Sequence, residues 1–186
     1  MQGEDSMSDT LPEELNPDYA ILIGRVIGRV ASSWSAVEAN INFATWAVAG
    51  IAPALGACMT AQINSLDGRL RALLALLKLR RAPASLIKNV NKFADEIRGP
   101  NERRNRIIHD AWYWNSSGQV ARMEVVAPRK LKMDLIETSL DDLRNDLVYV
   151  REFTARAVSI KESIYAAPPS LPGIPPEELE PIVDPR

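Results

Sequence analysis

The chain has 186 residues, 46% of them apolar and 25% charged, with a formal net charge of −2. That is the composition of an ordinary folded domain, at a length one hydrophobic core can serve. A single cysteine, Cys58, and a single histidine, His109, exclude an intramolecular disulfide and a Cys/His zinc site, so no metal or other cofactor is expected. No uninterrupted apolar run approaches the roughly 18 residues of a membrane span, and the N-terminus is acidic where a secretory signal is basic. A cytoplasmic protein without a membrane partner is expected.

The charge is unevenly spread. Residues 1–18 carry Glu4, Asp5, Asp9, Glu13, Glu14 and Asp18 with no basic residue, a charge of −6. Residues 166–186 carry −3, and taking both ends from −2 leaves +7 on residues 19–165. A basic body between acidic ends suits a phosphate-bearing partner, because attraction follows the local potential. It equally describes a mildly basic solvated surface.

In chain order, residues 1–17 are polar, acidic and aperiodic, and read as a flexible lead-in. From Asp18 to Gly50, Ile23, Val26, Val30, Trp34, Val37, Ile41, Ala44 and Val48 recur at spacings of three and four, which predicts a long amphipathic helix stopped by Gly50. Glu38 falls on the edge of its buried stripe and requires a partner there. Residues 50–56 read as a connection. Met59, Ile63, Leu66, Leu70, Leu73 and Leu77 then predict a second helix ending before Pro83. A third, from Ala84, carries Leu86, Val90, Phe93 and Ile97 on one face and is broken or kinked at Gly99-Pro100, with Asn101 as the cap of a restarted helix. If the phase continues, Arg104 and Ile108 face inward, and Glu38 is the candidate partner of Arg104.

Beyond this, Trp112-Tyr113-Trp114, the turn former Asn115-Ser116-Ser117-Gly118 and Gln119 to Val126 predict a small β-hairpin that must lean on the helices. Thr138-Ser139-Leu140-Asp141 resembles a capping box opening a last long helix, with Leu140, Leu143, Leu147, Val150, Phe153, Ala157, Ile160 and Ile164 at helical spacing. Seven of the thirteen prolines lie beyond Ala166 among Glu177, Glu178 and Glu180, so residues 166–186 are expected to be an extended or disordered acidic tail. The expected architecture is mainly α, a four- to five-helix bundle over residues 18–165 with a small β-hairpin between its last two helices.

The chemistry concentrates in Asn101-Glu102-Arg103-Arg104-Asn105-Arg106-Ile107-Ile108-His109-Asp110-Ala111-Trp112. At about 100° per residue, Glu102, Asn105 and His109 share a helix face, and Arg104 reaches toward it from the neighbouring one. Histidine near neutral pH serves as general base or acid, and the arginine fork matches phosphate oxygens. Arg98, Arg103 and Arg106 form a basic cluster suited to RNA phosphates, though three arginines are also a common solvated face. Trp112 and Trp114 share a strand face, able to stack a base or to close the end of the core.

Arg104-Asn105-Arg106-Ile107-Ile108-His109 resembles the Arg-x4-6-His motif of the HEPN superfamily (higher eukaryotes and prokaryotes nucleotide-binding), in which a polar residue, often Asn, follows the Arg. The long first helix with Trp34 and Glu38, the Leu-rich second helix and the long final helix are similar in layout. The resemblance implies a helical bundle that dimerises and joins two motifs across its interface. For active members it implies a metal-independent endoribonuclease of toxin, defence or RNA-processing type, with Arg104, Asn105 and His109 as catalytic residues and an antitoxin or nucleotidyltransferase as partner. Two other readings stand beside it. One is a non-catalytic interaction module in which Arg104, Asn105 and His109 form a polar network; the other is a nucleotide-binding protein using the same cleft.

Overall fold

The computed structural model describes residues 17–114, 120–126 and 131–166. Residues 1–16 of the expected N-terminal lead-in, the turn at 115–118 and the C-terminal tail beyond Ala166 lie outside them, whereas Pro17, expected in the lead-in, is the first residue of a helix. In chain order the elements are helices α1 (Pro17–Ala49), α2 (Pro53–Thr60), α3 (Leu66–Leu79), α4 (Ala84–Glu96) and α5 (Arg98–His109). Strands β1 (Ala111–Trp114), β2 (Val120–Val126) and β3 (Lys132–Glu137) follow, and helix α6 (Leu140–Ala166) is the last described element. The protein is mainly helical with one small antiparallel sheet in the order β1-β2-β3.

The core is built on α1, which packs along α6 and α3. The stripe predicted for it is buried at Ile23, Val30, Trp34, Val37, Ile41, Ala44 and Val48, with Val26 partly buried beside them. By length and composition alone α1 is also apolar enough to cross a bilayer, as the core helix of a folded domain can be. Its small residues and scarce charges raise the average hydropathy without forming an uninterrupted apolar run. Gly50 ends α1 in the left-handed region at φ +72°, a conformation that side-chain-bearing residues avoid.

The segment expected as a connection and one long second helix is two helices. Pro53 opens α2, where a missing N–H costs nothing, and Ser65 caps α3 by accepting from the Gly68 N–H at 3.1 Å. α2 lies so close to α1 that a Cβ on Gly56 would sit 2.4 Å from Cγ of Trp46. Met59 consequently ends exposed, outside the stripe that Leu66, Leu70, Leu73 and Leu77 form.

α4 and α5 divide at Ile97, two residues earlier than Gly99-Pro100 suggested. Pro100 occupies the third position of α5, whose N–H lacks an intrahelical acceptor anyway, so proline continues the helix instead of breaking it. Asn101 is therefore no cap. It is a helical residue whose N–H donates to Ile97 O at 2.9 Å. At the last helix the capping box exists one residue later than expected. Ser139 Oγ accepts from the Asp142 N–H at 3.0 Å while Asp142 Oδ2 accepts from the Ser139 N–H at 3.0 Å.

The hairpin is a three-stranded sheet, because residues 132–137 add a strand to β2. Its register places Trp112, Trp114, Val120, Arg122, Glu124, Asp134 and Ile136 on one face, and Tyr113, Met123, Val125, Met133 and Leu135 on the other. The first face meets the body: Val120 is buried, and Trp112 and Trp114 pack on the core. The second is 43 to 62% exposed at Tyr113, Val125, Met133 and Leu135. The inward face thus mixes Arg122, Glu124 and Asp134 with the apolar Trp112, Trp114 and Val120, while most of the sheet's exposed apolar side chains, with Glu137, lie on the outward face.

Candidate active-site groove along α5

The inward charges of the sheet are paired with one another and with α5. Asp110 Oδ2 accepts from Arg122 at 2.6 Å, and Asp110 lies 3.7 Å from Arg106. Glu124 meets Arg106 at 3.2 Å and Arg122 at 3.6 Å. Two arginines and two carboxylates alternate around a square that fastens the sheet to the end of α5, just beyond His109. Mutual pairing lets four charges share one partly buried place.

Along α5 an open groove of about 830 Å³ runs from Asn64 to Glu124, lined by Glu102, Arg104, Asn105 and His109. The shared helix face read from the sequence is therefore one wall of a single groove. His109 is exposed, and its side chain has no hydrogen bond or ion pair among the described residues.

Arg104 faces inward, as the phase predicted, but not toward Glu38. Its guanidinium carbon lies 5.7 Å from the centroid of the Trp34 ring, and Nη1 donates to Asn105 Oδ1 at 2.9 Å. Glu38 is claimed from elsewhere: its Oε1 accepts from Trp34 Nε1 at 3.1 Å, and its Oε2 lies 3.5 Å from Arg69 of α3. Arg69 reaches it because the α2–α3 turn holds its Nε on Ile63 O at 3.1 Å. Glu38 and Arg104 are thus linked through the indole between them, which a search for direct ion pairs would miss. The Nε of Arg104 is buried without an acceptor among the described residues.

The remaining arginines of α5 are each neutralised. Arg98 lies 3.7 Å from Asp95, Arg103 is 2.9 Å from Asp146, and Arg106 is held in the square. Arg104 is the one guanidinium of α5 with no carboxylate beside it among the described residues. Of the two tryptophans, Trp112 donates to Ile107 O at 3.0 Å, and Trp114 Nε1 is buried without a partner among the described residues. Both close the end of the core, the packing alternative of the two roles open to them.

Asp146, Arg122 and Glu124 join the site without having stood out in the sequence. Asp146 sits on the α6 stripe between Leu143 and Val150 and is only 9% exposed; a carboxylate in core phase was the available signal, the same that drew attention to Glu38. Burial pushes its carboxyl above the usual aspartate range, and Arg103 opposes the shift. Arg122 and Glu124 gave no signal, since which face of a strand turns inward depends on its partner. Among the described residues no cluster of three His, Cys, Asp or Glu side chains is placed to hold a metal ion. No protein-family model matches the sequence, and neither a curated protein nor a solved structure matches it.

Proposed function

We propose that the groove along α5 is the active site of a metal-independent endoribonuclease of the HEPN type, acting on single-stranded RNA. The observation that carries this reading is that Arg104, the α5 guanidinium that no carboxylate neutralises, lines one groove with Asn105 and His109. Cleavage by the adjacent 2′-hydroxyl requires a proton acceptor, a proton donor for the leaving 5′-oxygen, and positive charge on the phosphate. His109 carries the proton transfer, worth roughly 10² to 10⁴ in rate. Arg104, steadied by the Trp34 ring and by Asn105, presents its other terminal nitrogen to a phosphate oxygen. Because Asn105 Oδ1 is occupied by Arg104, its amide NH₂ is the group left to donate to a phosphate or ribose oxygen, or to the imidazole.

One chain offers one histidine, so the acid and base roles are divided between two copies in a homodimer, or one falls to water. Arg103 and Arg106 at the groove, with Arg98 nearby, attract the backbone only to the extent that RNA competes with Asp146, the square and Asp95. An antitoxin or nucleotidyltransferase would be the natural cellular partner of such a nuclease.

Purified protein is expected to cleave RNA in the presence of EDTA and to leave 2′,3′-cyclic phosphate ends. His109→Ala and Arg104→Ala should each abolish this with the circular dichroism spectrum unchanged. Absence of cleavage on any RNA, or cleavage untouched by His109→Ala, would sink the reading.

A specific observation favours a second reading, a non-catalytic interaction module. The contacts of Arg104 with Trp34 and Asn105 tie α5 to α1 whether or not chemistry follows. On that reading Arg104→Ala lowers the melting temperature by several degrees and there is no nuclease activity to lose.

A further inference from the structure

A second cavity, of about 340 Å³, opens between α5 and α6 without His109 in its lining. Gly99, Arg103 and Arg104 line both it and the groove, so the two spaces meet along α5. Ile107 and Val150, both 3% exposed, form apolar floor, and Pro100 and Tyr149 stand at the sides. The polar groups are the Arg103–Asp146 pair, Arg104 and the Gly99 backbone.

Three properties define what fits. The volume is at the small end of the roughly 300–1,000 Å³ typical of ligand sites, which suits one ring system and not a chain segment. The Tyr149 ring is 54% exposed, a flat surface offered to solvent at the mouth of an apolar recess. Among the described residues one oxygen of Asp146 is paired, Oδ1 with Arg103 Nε at 2.9 Å; Oδ2 is left as an acceptor in a half-dry place where a hydrogen bond is worth more than in water. A flat ligand with two adjacent N–H donors on one edge satisfies all three, one donor on Oδ2 and the other on the lone pair of Oδ1 that Arg103 does not use.

We propose that this cavity is a nucleobase subsite: Tyr149 stacks on the base, Asp146 accepts from its edge, and Arg104, as the shared wall, holds the attached phosphate toward the groove. This rests on the nuclease reading for its purpose, though not for its chemistry. Guanine is the base whose pairing edge carries adjacent N1–H and N2–H donors, so guanine is favoured over the other three. RNA would be cut with a guanosine seated next to the scissile phosphate.

The test is titration of the full chain with guanosine, adenosine, cytidine and uridine 3′-monophosphates, followed by calorimetry and by tyrosine chemical shifts. GMP should bind tightest and shift the Tyr149 resonances. Tyr149→Ala should weaken it about tenfold, in line with the loss of one stacked base, while Tyr149→Phe retains it. Asp146→Asn should level the four affinities; if that variant fails to fold, the tyrosine pair still decides. Equal binding of all four nucleotides, or binding untouched by Tyr149→Ala, overturns the subsite. Cleavage assays separate the two proposals. RNA cut without guanosine preference and with KM unchanged in Tyr149→Ala removes the subsite and leaves the nuclease; GMP binding with the expected variant pattern but no cleavage does the reverse.

Discussion

The helical body and the small sheet solve burial in opposite ways. In the body, α1, α3 and α6 turn their apolar stripes inward, and Trp34, Leu73 and Leu143 lie at 0% exposure. In the sheet the inward face carries Arg122 and Glu124, while Tyr113, Val125, Met133 and Leu135 face outward. Hydrophobic burial assembles the first region, and a square of ion pairs, with Trp112, Trp114 and Val120, docks the second. The difference teaches that the sheet is fastened to the end of α5 by polar contacts beside His109, so its attachment and the groove belong to one arrangement.

Substitutions distinguish these two modes. Leu73→Ala, which empties a closed site in α3, should cost about 2–5 kcal/mol in chemical denaturation, the largest effect expected anywhere. A loss below 1 kcal/mol would mean that the body is not packed as described. Asp110→Ala should cost about 2 kcal/mol, since it strips Arg122 of its 2.6 Å acceptor and removes one corner of the square. Unlike the core change, it should loosen the sheet first, seen as faster amide exchange in β1 and β2 than in α1. Uniform loss of protection across the chain would show that the sheet is not a separately docked unit.

Ser139→Ala, at the junction of the two regions, should cost about 1 kcal/mol by removing the cap of α6. The cap also has a pH signature. The hydroxyl and backbone N–H of Ser139 hold the Asp142 carboxyl below the usual aspartate range. Its contribution is therefore complete above that range and fades as pH falls through the lowered value; acid titration of stability in wild type against Asp142→Asn checks the sign. The smallest effect belongs to Leu135→Lys on the outward sheet face, within about 0.5 kcal/mol. A cost rivalling that of Leu73→Ala would reveal that this face is covered in solution.

The body was legible in the sequence because periodicity is a local property. The stripes of α1 and α6 were readable residue by residue, as was the face joining Glu102, Asn105 and His109. Local signals misled where two rules compete. Pro100 looked like a breaker, yet the first turn of a helix tolerates it, and only the break at Ile97 shows which rule applies. The third strand escaped notice because Lys132 to Glu137 alternate without a polar and an apolar side that matches the expected core. Glu38 was correctly judged to need a partner, but Arg69 reaches it from 31 positions away.

By itself the sequence determined that the chain forms long amphipathic helices, and that Arg104, Asn105 and His109 fall within one turn and a half of helix. Both follow from the fixed geometry of the helix, which neighbouring residues cannot alter. Only the tertiary structure decided which charges cancel: Arg103, Arg106 and Arg122 meet carboxylates from other elements, while Arg104 meets an indole. That choice depends on which side chains folding brings within a few ångströms, and no spacing along the chain encodes it.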